Sequence, residues 1–130
     1  MSTGWPYARV GVMSRFLESF DRFADRFLPP GLSDAGLLRI RSLAVLLQPL
    51  REQTAQLDQS GPAFVFIAQG AAKLVAHTTA GREQVVGFHF AGDLVTVPAT
   101  GAHHYCLQAL ADCELIAFPH AAFREIAASH

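Results

Sequence analysis

In 130 residues, 51% of side chains are hydrophobic and 16% charged, which supplies apolar material for one buried core and excludes a disordered chain. Ten basic against eleven acidic residues leave a formal net charge of −1, which excludes a chain-wide electrostatic footprint for nucleic acid. Two cysteines are too few for a disulfide framework and point to reduced thiols in a soluble, cytoplasmic protein. Residues 1–50 hold six Arg against four acids and residues 51–130 four basic groups against seven acids, an imbalance that a solvated helix face explains. Trp5, Arg9 and Arg15 interrupt any N-terminal apolar run, so no signal peptide is read there. The longest uncharged window, Leu94 to Ala111, holds Pro98, Gly101, His103 and His104 and is unsuited to a membrane span.

Residues 1–12 read as an irregular arm. Ser14 is a candidate N-cap for a helix to about Leu28, with Phe16, Leu17, Phe20, Phe23, Ala24, Phe27 and Leu28 forming a stripe of helical period. Arg15, Asp21, Arg22, Asp25 and Arg26 oppose it, and Pro29-Pro30-Gly31 ends the helix. A second helix is predicted from an N-cap at Ser33 to about Leu47, closed by Pro49. These two helices divide the chain into an N-terminal arm and amphipathic helix (1–31) and a main domain (32–130).

Beyond Pro49 the apolar period shortens towards two. Strands are predicted near Glu52 to Leu57, Phe64 to Ala68, Ala72 to Thr78, Glu83 to Phe90, Leu94 to Val97, Tyr105 to Ala109 and Glu114 to Phe118. In Glu83 to Phe90, strict alternation puts Gln84, Val86, Phe88 and Phe90 on one face. Pro119 suits the first turn of a closing helix, Ala121 to about Ser129. The expected class is α+β, mainly β: an antiparallel roll with two N-terminal helices and a short C-terminal one.

The string Gly81-Arg82-Glu83-Gln84-Val85-Val86-Gly87-Phe88-His89-Phe90-Ala91-Gly92-Asp93 resembles the middle of the effector domain in Crp/Fnr regulators, the cyclic-nucleotide-binding β-roll. The resemblance continues through Cys106-Leu107-Gln108-Ala109-Leu110 and Cys113 to Pro119, and into a helix start at Phe123 and Ile126. The run from Gly87 to Val95, with its later His-rich turn, is similar to the Fnr/FixK branch. In that family the roll leads into a long dimer helix and a DNA-binding helix-turn-helix. The expectation for a chain ending at His130 is an effector domain without that module.

The resemblance brings its own test residues. Members that bind a cyclic nucleotide place Gly-Glu on a short helix after the Gly-Asp corner, for the ribose, and Arg-Ser or Arg-Thr before the next strand, for the phosphate. Here Gly92-Asp93 is followed by Leu94-Val95-Thr96-Val97-Pro98, no Glu occurs before Asp112, and the Arg position falls at His103. A neutral imidazole does not replace a permanently charged fork, so the nucleotide pocket is expected to be degenerate. Gly92, Asp93, Leu94, His103, His104 and Tyr105 remain as candidates for a pocket of another kind. An iron–sulfur centre needs about four thiolates or comparable ligands, more than the cysteines of one chain provide.

Cys106 and Cys113 are redox candidates, which would require an exposed thiol of lowered pKa; the plainer reading is two small buried hydrophobes. His103-His104 beside Cys106 is a possible haem or transition-metal group, although adjacent strand residues face opposite sides. A cupin-like metal-binding roll is a further alternative, for which His89, His103 and His104 lack the required spacing. No catalytic motif stands out, and neither a metal nor a cofactor is expected.

The sequence therefore reads as a non-enzymatic regulatory domain that modulates transcription through protein contacts, with a small-molecule, haem or redox sensor as the alternative. Expected partners are a second copy or a full-length Crp/Fnr-type regulator, with no membrane and no DNA bound by this chain alone. The apolar residues Phe16, Phe20, Phe23, Phe27, Phe123 and Ile126 are candidates for that contact. They could equally cap the roll or pack on the second helix.

Overall fold

The computed structural model describes the backbone of residues 5–57 and 61–129, with side chains described over 11–57 and 61–128. In chain order the elements are α1 (Trp5–Phe27), α2 (Asp34–Leu43), β1 (Val45–Leu47), β2 (Ala63–Gln69), β3 (Ala71–His77), β4 (Glu83–Phe90), β5 (Leu94–Val97), β6 (His104–Ala109), β7 (Glu114–Pro119) and α3 (His120–Ser129). The strands form two sheets, of order β1-β7-β2-β5 and β4-β3-β6. Every pairing is antiparallel, as the α+β roll expected from the sequence requires.

Alternation along the strands builds two separate cores. The inward faces meet in the roll interior, where Val65, Ile67, Leu74, Val95, Leu107 and Leu115 pack with Ala63, Ala72, Ala109 and Ala117. The outward face of the larger sheet carries Phe66, Ala68, Ile116 and Phe118, which the helices cover with Phe20, Phe23, Ile40 and Ile126. Phe23 is the centre of this second core. It is 0% exposed, with its ring centroid 4.6 Å from Phe118, 5.7 Å from Phe66 and 6.1 Å from Phe123. Removing a phenylalanine side chain from water is worth about 1.5–3 kcal/mol, so this aromatic cluster is a main reason why α1 stays on the sheet.

Polar contacts fix the register of α1 along the strands. Ser19, 2% exposed, donates to Glu114 Oε2 at 3.2 Å. The Arg15 guanidinium reaches the other oxygen of the same carboxylate at 3.6 Å. One turn after Ser19, Arg22 donates to the Ala68 carbonyl at 3.3 Å.

Four expectations are corrected. The arm expected over residues 1–12 is helical from Trp5 onward, while residues 1–4 lie outside the described residues. Pro6 stands in the first turn, where its missing N–H is not needed, and nothing after it stops the helix. The second helix has the expected cap, Ser33 Oγ accepting from Gly36 N at 3.0 Å, but ends at Leu43. Ala44 is extended, and Val45–Leu47 pair with Ala117–Leu115 as β1.

Glu52 to Leu57 is not a regular strand. It touches β6 through the Thr54–Gln108 bridge and the bonds Glu52 N to Ala109 O (2.8 Å) and Ala55 N to Leu107 O (2.9 Å). Glu52, at φ 74°, takes the run out of strand conformation at its start. Finally, the β3–β4 register shifts between Leu74 and Val75, which breaks the strict alternation of β4. Glu83 and Val85 thereby join Phe88 and Phe90 on the outward face, and Glu83 pairs there with Lys73 at 3.9 Å. No helix among the described residues is long and apolar enough to cross a membrane.

Candidate functional site

The corner Gly92-Asp93 is built by the backbone. Gly92 has φ +96°, a conformation that favours glycine. Its N–H donates to Ile67 O at 2.8 Å, and Asp93 O accepts from Ile67 N at 2.9 Å. The Asp93 carboxylate turns back on its own corner and accepts from Phe90 N at 2.8 Å. Its role here is to hold the turn between β4 and β5.

The segment that would carry nucleotide-binding groups follows β5. Residues 98–103 are the whole connection to β6, and they contain bends and no helix. There is no short helix to present a ribose-binding carboxylate. His103, at the Arg position, is exposed, with its ring edge-on to Tyr105 at 6.3 Å. Arg51 and Arg82 are exposed, and Lys73 lies on the outward face of its sheet in the Glu83 pair. The hydrophobic residues of the roll interior are aliphatic side chains and Cys113, with Tyr105 at its margin, and the β3–β4 register puts Gln84 and the half-buried His89 on the inward side of β4.

The six candidate pocket residues do not converge. Leu94 packs into the outer aromatic core and Tyr105 against the roll interior. His104 is exposed and shares a hydrogen bond with Thr100 Oγ1 at 3.1 Å. Gly92, Asp93 and His103 occupy the turn and loop positions just described.

Both cysteines are free thiols. Cys106 lies beside His77, Sγ to Nε2 3.4 Å, on the outward face of the smaller sheet. Burial first, then the Glu83 carboxylate, pushes its pKa up, against a smaller opposing pull from Lys73. Cys113 is buried, and burial likewise raises its pKa, although the thiol contacts the carbonyls of Ala71 and Ala111 at 3.2 and 3.3 Å. Neither thiol has the lowered pKa that a reactive cysteine needs. The His77 and His104 rings are 6.1 Å apart, yet among the described residues no three His, Cys, Asp or Glu side chains are grouped to hold a metal ion.

Of the apolar residues considered for partner contact, Phe20, Phe23 and Ile126 are buried in the outer core. Phe16 and Phe123 are half-buried against it, and Phe27 is exposed with its ring centroid 5.9 Å from Phe66. The stripe of α1 therefore caps the sheet.

A feature the sequence reading missed lies at one mouth of the roll. A cavity of about 270 Å³ opens between β1, Gln56-Leu57, Gly61-Pro62 and the start of α3. It exists because Ala63 and Ala117 are small where the neighbouring inward residues, such as Val65 and Leu115, are large. Their alanine identity was visible in the sequence, but only the register reveals that they share one face.

The cyclic nucleotide-binding domain model matches residues 54–130. A search of curated proteins finds no significant match. Among solved structures, oxidised CprK in complex with o-chlorophenolacetic acid aligns with a TM-score of 0.56 at 12% identity, over 72% of this chain and 39% of that one. The N-terminal domain of a transcriptional regulator from Streptomyces coelicolor A3(2) aligns at 0.52 and 18% identity, over 77% and 73%. FixK2 from Bradyrhizobium japonicum gives 0.52 and 16%, over 67% and 44%. At these identities the likeness is one of fold, and the chain spans less than half the length of CprK and FixK2. The chain belongs to the cyclic nucleotide-binding domain family, and it shares its fold with the N-terminal domain of the Streptomyces transcriptional regulator and with parts of CprK and FixK2.

Proposed function

We propose that this chain is a signal-receiving domain for transcription control that answers a small non-nucleotide molecule. The observation that carries this reading is the interior of the roll, where the buried side chains among the described residues are apolar and none is Arg or Lys. A buried phosphate needs a fixed guanidinium or ammonium and backbone donors. The bare six-residue link after β5 supplies neither Arg nor Lys. The aromatic acid in the CprK complex is a precedent for a non-nucleotide ligand on this fold. Raised thiol pKa values at Cys106 and Cys113 weigh against redox sensing as the main signal.

Thermal melting tests the claim. A ligand at ~100 times its dissociation constant stabilises a protein by ~2.7 kcal/mol, a shift of several degrees for a domain of this size. Cyclic AMP or cyclic GMP at millimolar concentration should leave the melting temperature unchanged. A shift of several degrees would overturn the reading. Within the same proposal, output passes through contact with a second copy or a full-length relative, and the chain alone does not read DNA. A salt-sensitive, sequence-dependent gel shift by the isolated chain would contradict that last part.

A further inference from the structure

We infer that the cavity at the mouth of the roll is a binding site for an uncharged, single-ring-sized apolar molecule, held between β1 and the first turn of α3. The inference rests on the small-molecule reading above and names a site and ligand class for it.

The register shows how the cavity is built. Val45 lies opposite Ala117, which lies opposite Val65, so one inward row crosses three strands with a methyl group at its centre. In the next row Ala63 lies opposite Pro119, beyond the end of β1. Leu47 and Leu57 lean over the space while only partly buried, and Val45 remains 52% exposed. These apolar side chains frame a volume that none of the described residues fills.

Size and charge define the guest. A cavity of about 150 Å³ lined by aliphatic and aromatic side chains is dry and takes up benzene. The opening here, about 270 Å³, has room for a substituted single ring and falls below the range of most drug-sized pockets, roughly 300–1,000 Å³. Among the described residues, none that lines it is Asp, Glu, Lys or Arg. Its one titratable residue among those described, His120, packs its ring at a tilt against Phe64, centroids 4.3 Å apart, on the outward side of the sheet. The His120 backbone N–H is already bonded to Pro62 O at 3.0 Å. An ionised ligand would lose its hydration without a counter-charge, whereas an uncharged ring loses only water contact.

The location also gives the site a consequence. Pro119, His120 and Ala121 line it, and α3 then carries Phe123 and Ile126 into the outer aromatic core. A molecule lodged there touches the start of the helix and the inward face of the roll at once. Occupancy therefore favours the docked position of α3.

The experiment uses fluorobenzene as probe with the whole chain, observed by fluorine NMR and by amide shifts. The expected result is saturable broadening of the fluorine signal, with amide shifts confined to Leu47, Leu57 and Ala117 to Ala121. Ala121→Trp, at an exposed position of α3, should fill the cavity and reduce probe affinity at least tenfold while keeping the amide spectrum folded. Val86→Asp on the distant hairpin should leave binding unchanged. No saturable binding up to the solubility of fluorobenzene would overturn the inference, as would shifts centred on Tyr105 and Leu107 inside the roll. Those shifts would leave the non-nucleotide reading intact. Binding of cyclic AMP alongside normal fluorobenzene binding would sink the non-nucleotide reading and spare the cavity.

Discussion

Removing the Glu114 carboxylate strands the Ser19 hydroxyl. Ser19 is 2% exposed and donates to Glu114, so Glu114→Ala leaves a buried donor without its acceptor. Such a loss costs about 1–3 kcal/mol. Glu18 pairs with Arg22 at 3.3 Å on the surface, and Glu18→Ala should cost no more than ~0.5 kcal/mol. Urea unfolding of the two variants separates a buried network from a solvated pair; equal midpoints would refute the distinction. The thiols give a second residue-scale prediction. Both have raised pKa values when folded, so the unfolded chain loses those protons first. Stability should fall as pH rises through the ordinary thiol value, ~8.5, and level off above the raised folded values. A double variant, Cys106→Ser with Cys113→Ala, should lose that alkaline slope when unfolding is followed against pH.

At the scale of elements, legibility followed how many independent signals coincided. The stripe from Phe16 to Leu28, its charged opposite face and the Pro-Pro-Gly stop agree on one helix, and α1 contains it. β1 was hidden because Leu46 and Leu47 are apolar on both sides, a run that suits a buried strand or the end of a helix. The bulge in β4 left no trace in composition, since register shifts depend on the partner strand. What α1 contributes can be measured at Phe23, whose burial is complete. Phe23→Ala should destabilise the fold by about 3–5 kcal/mol, whereas Leu17→Ala, at a 37% exposed position, should cost less than ~1 kcal/mol. Sedimentation of the Phe23 variant adds the association test. A normal melt with loss of a dimer would show that the stripe is an intermolecular contact and would contradict its capping role.

For the whole molecule, the family was legible from one hairpin and one corner, because Gly81 and Gly92 both occupy positive φ that their turns require. The candidate site was less so. The candidate residues have different surroundings: Leu94 packs on the outer aromatic core, Tyr105 packs against the roll interior, and His104 bonds Thr100 in the helix-free connection after β5. The mouth cavity, conversely, is an effect of two alanines whose shared face only pairing reveals.

We propose that the interior of this member of a nucleotide-binding family is unfit for a phosphate. Titration calorimetry with cyclic AMP, at low salt where electrostatic binding is strongest, tests it most directly. No saturable heat is expected up to millimolar ligand. A saturable isotherm with a dissociation constant in the low micromolar range would contradict it.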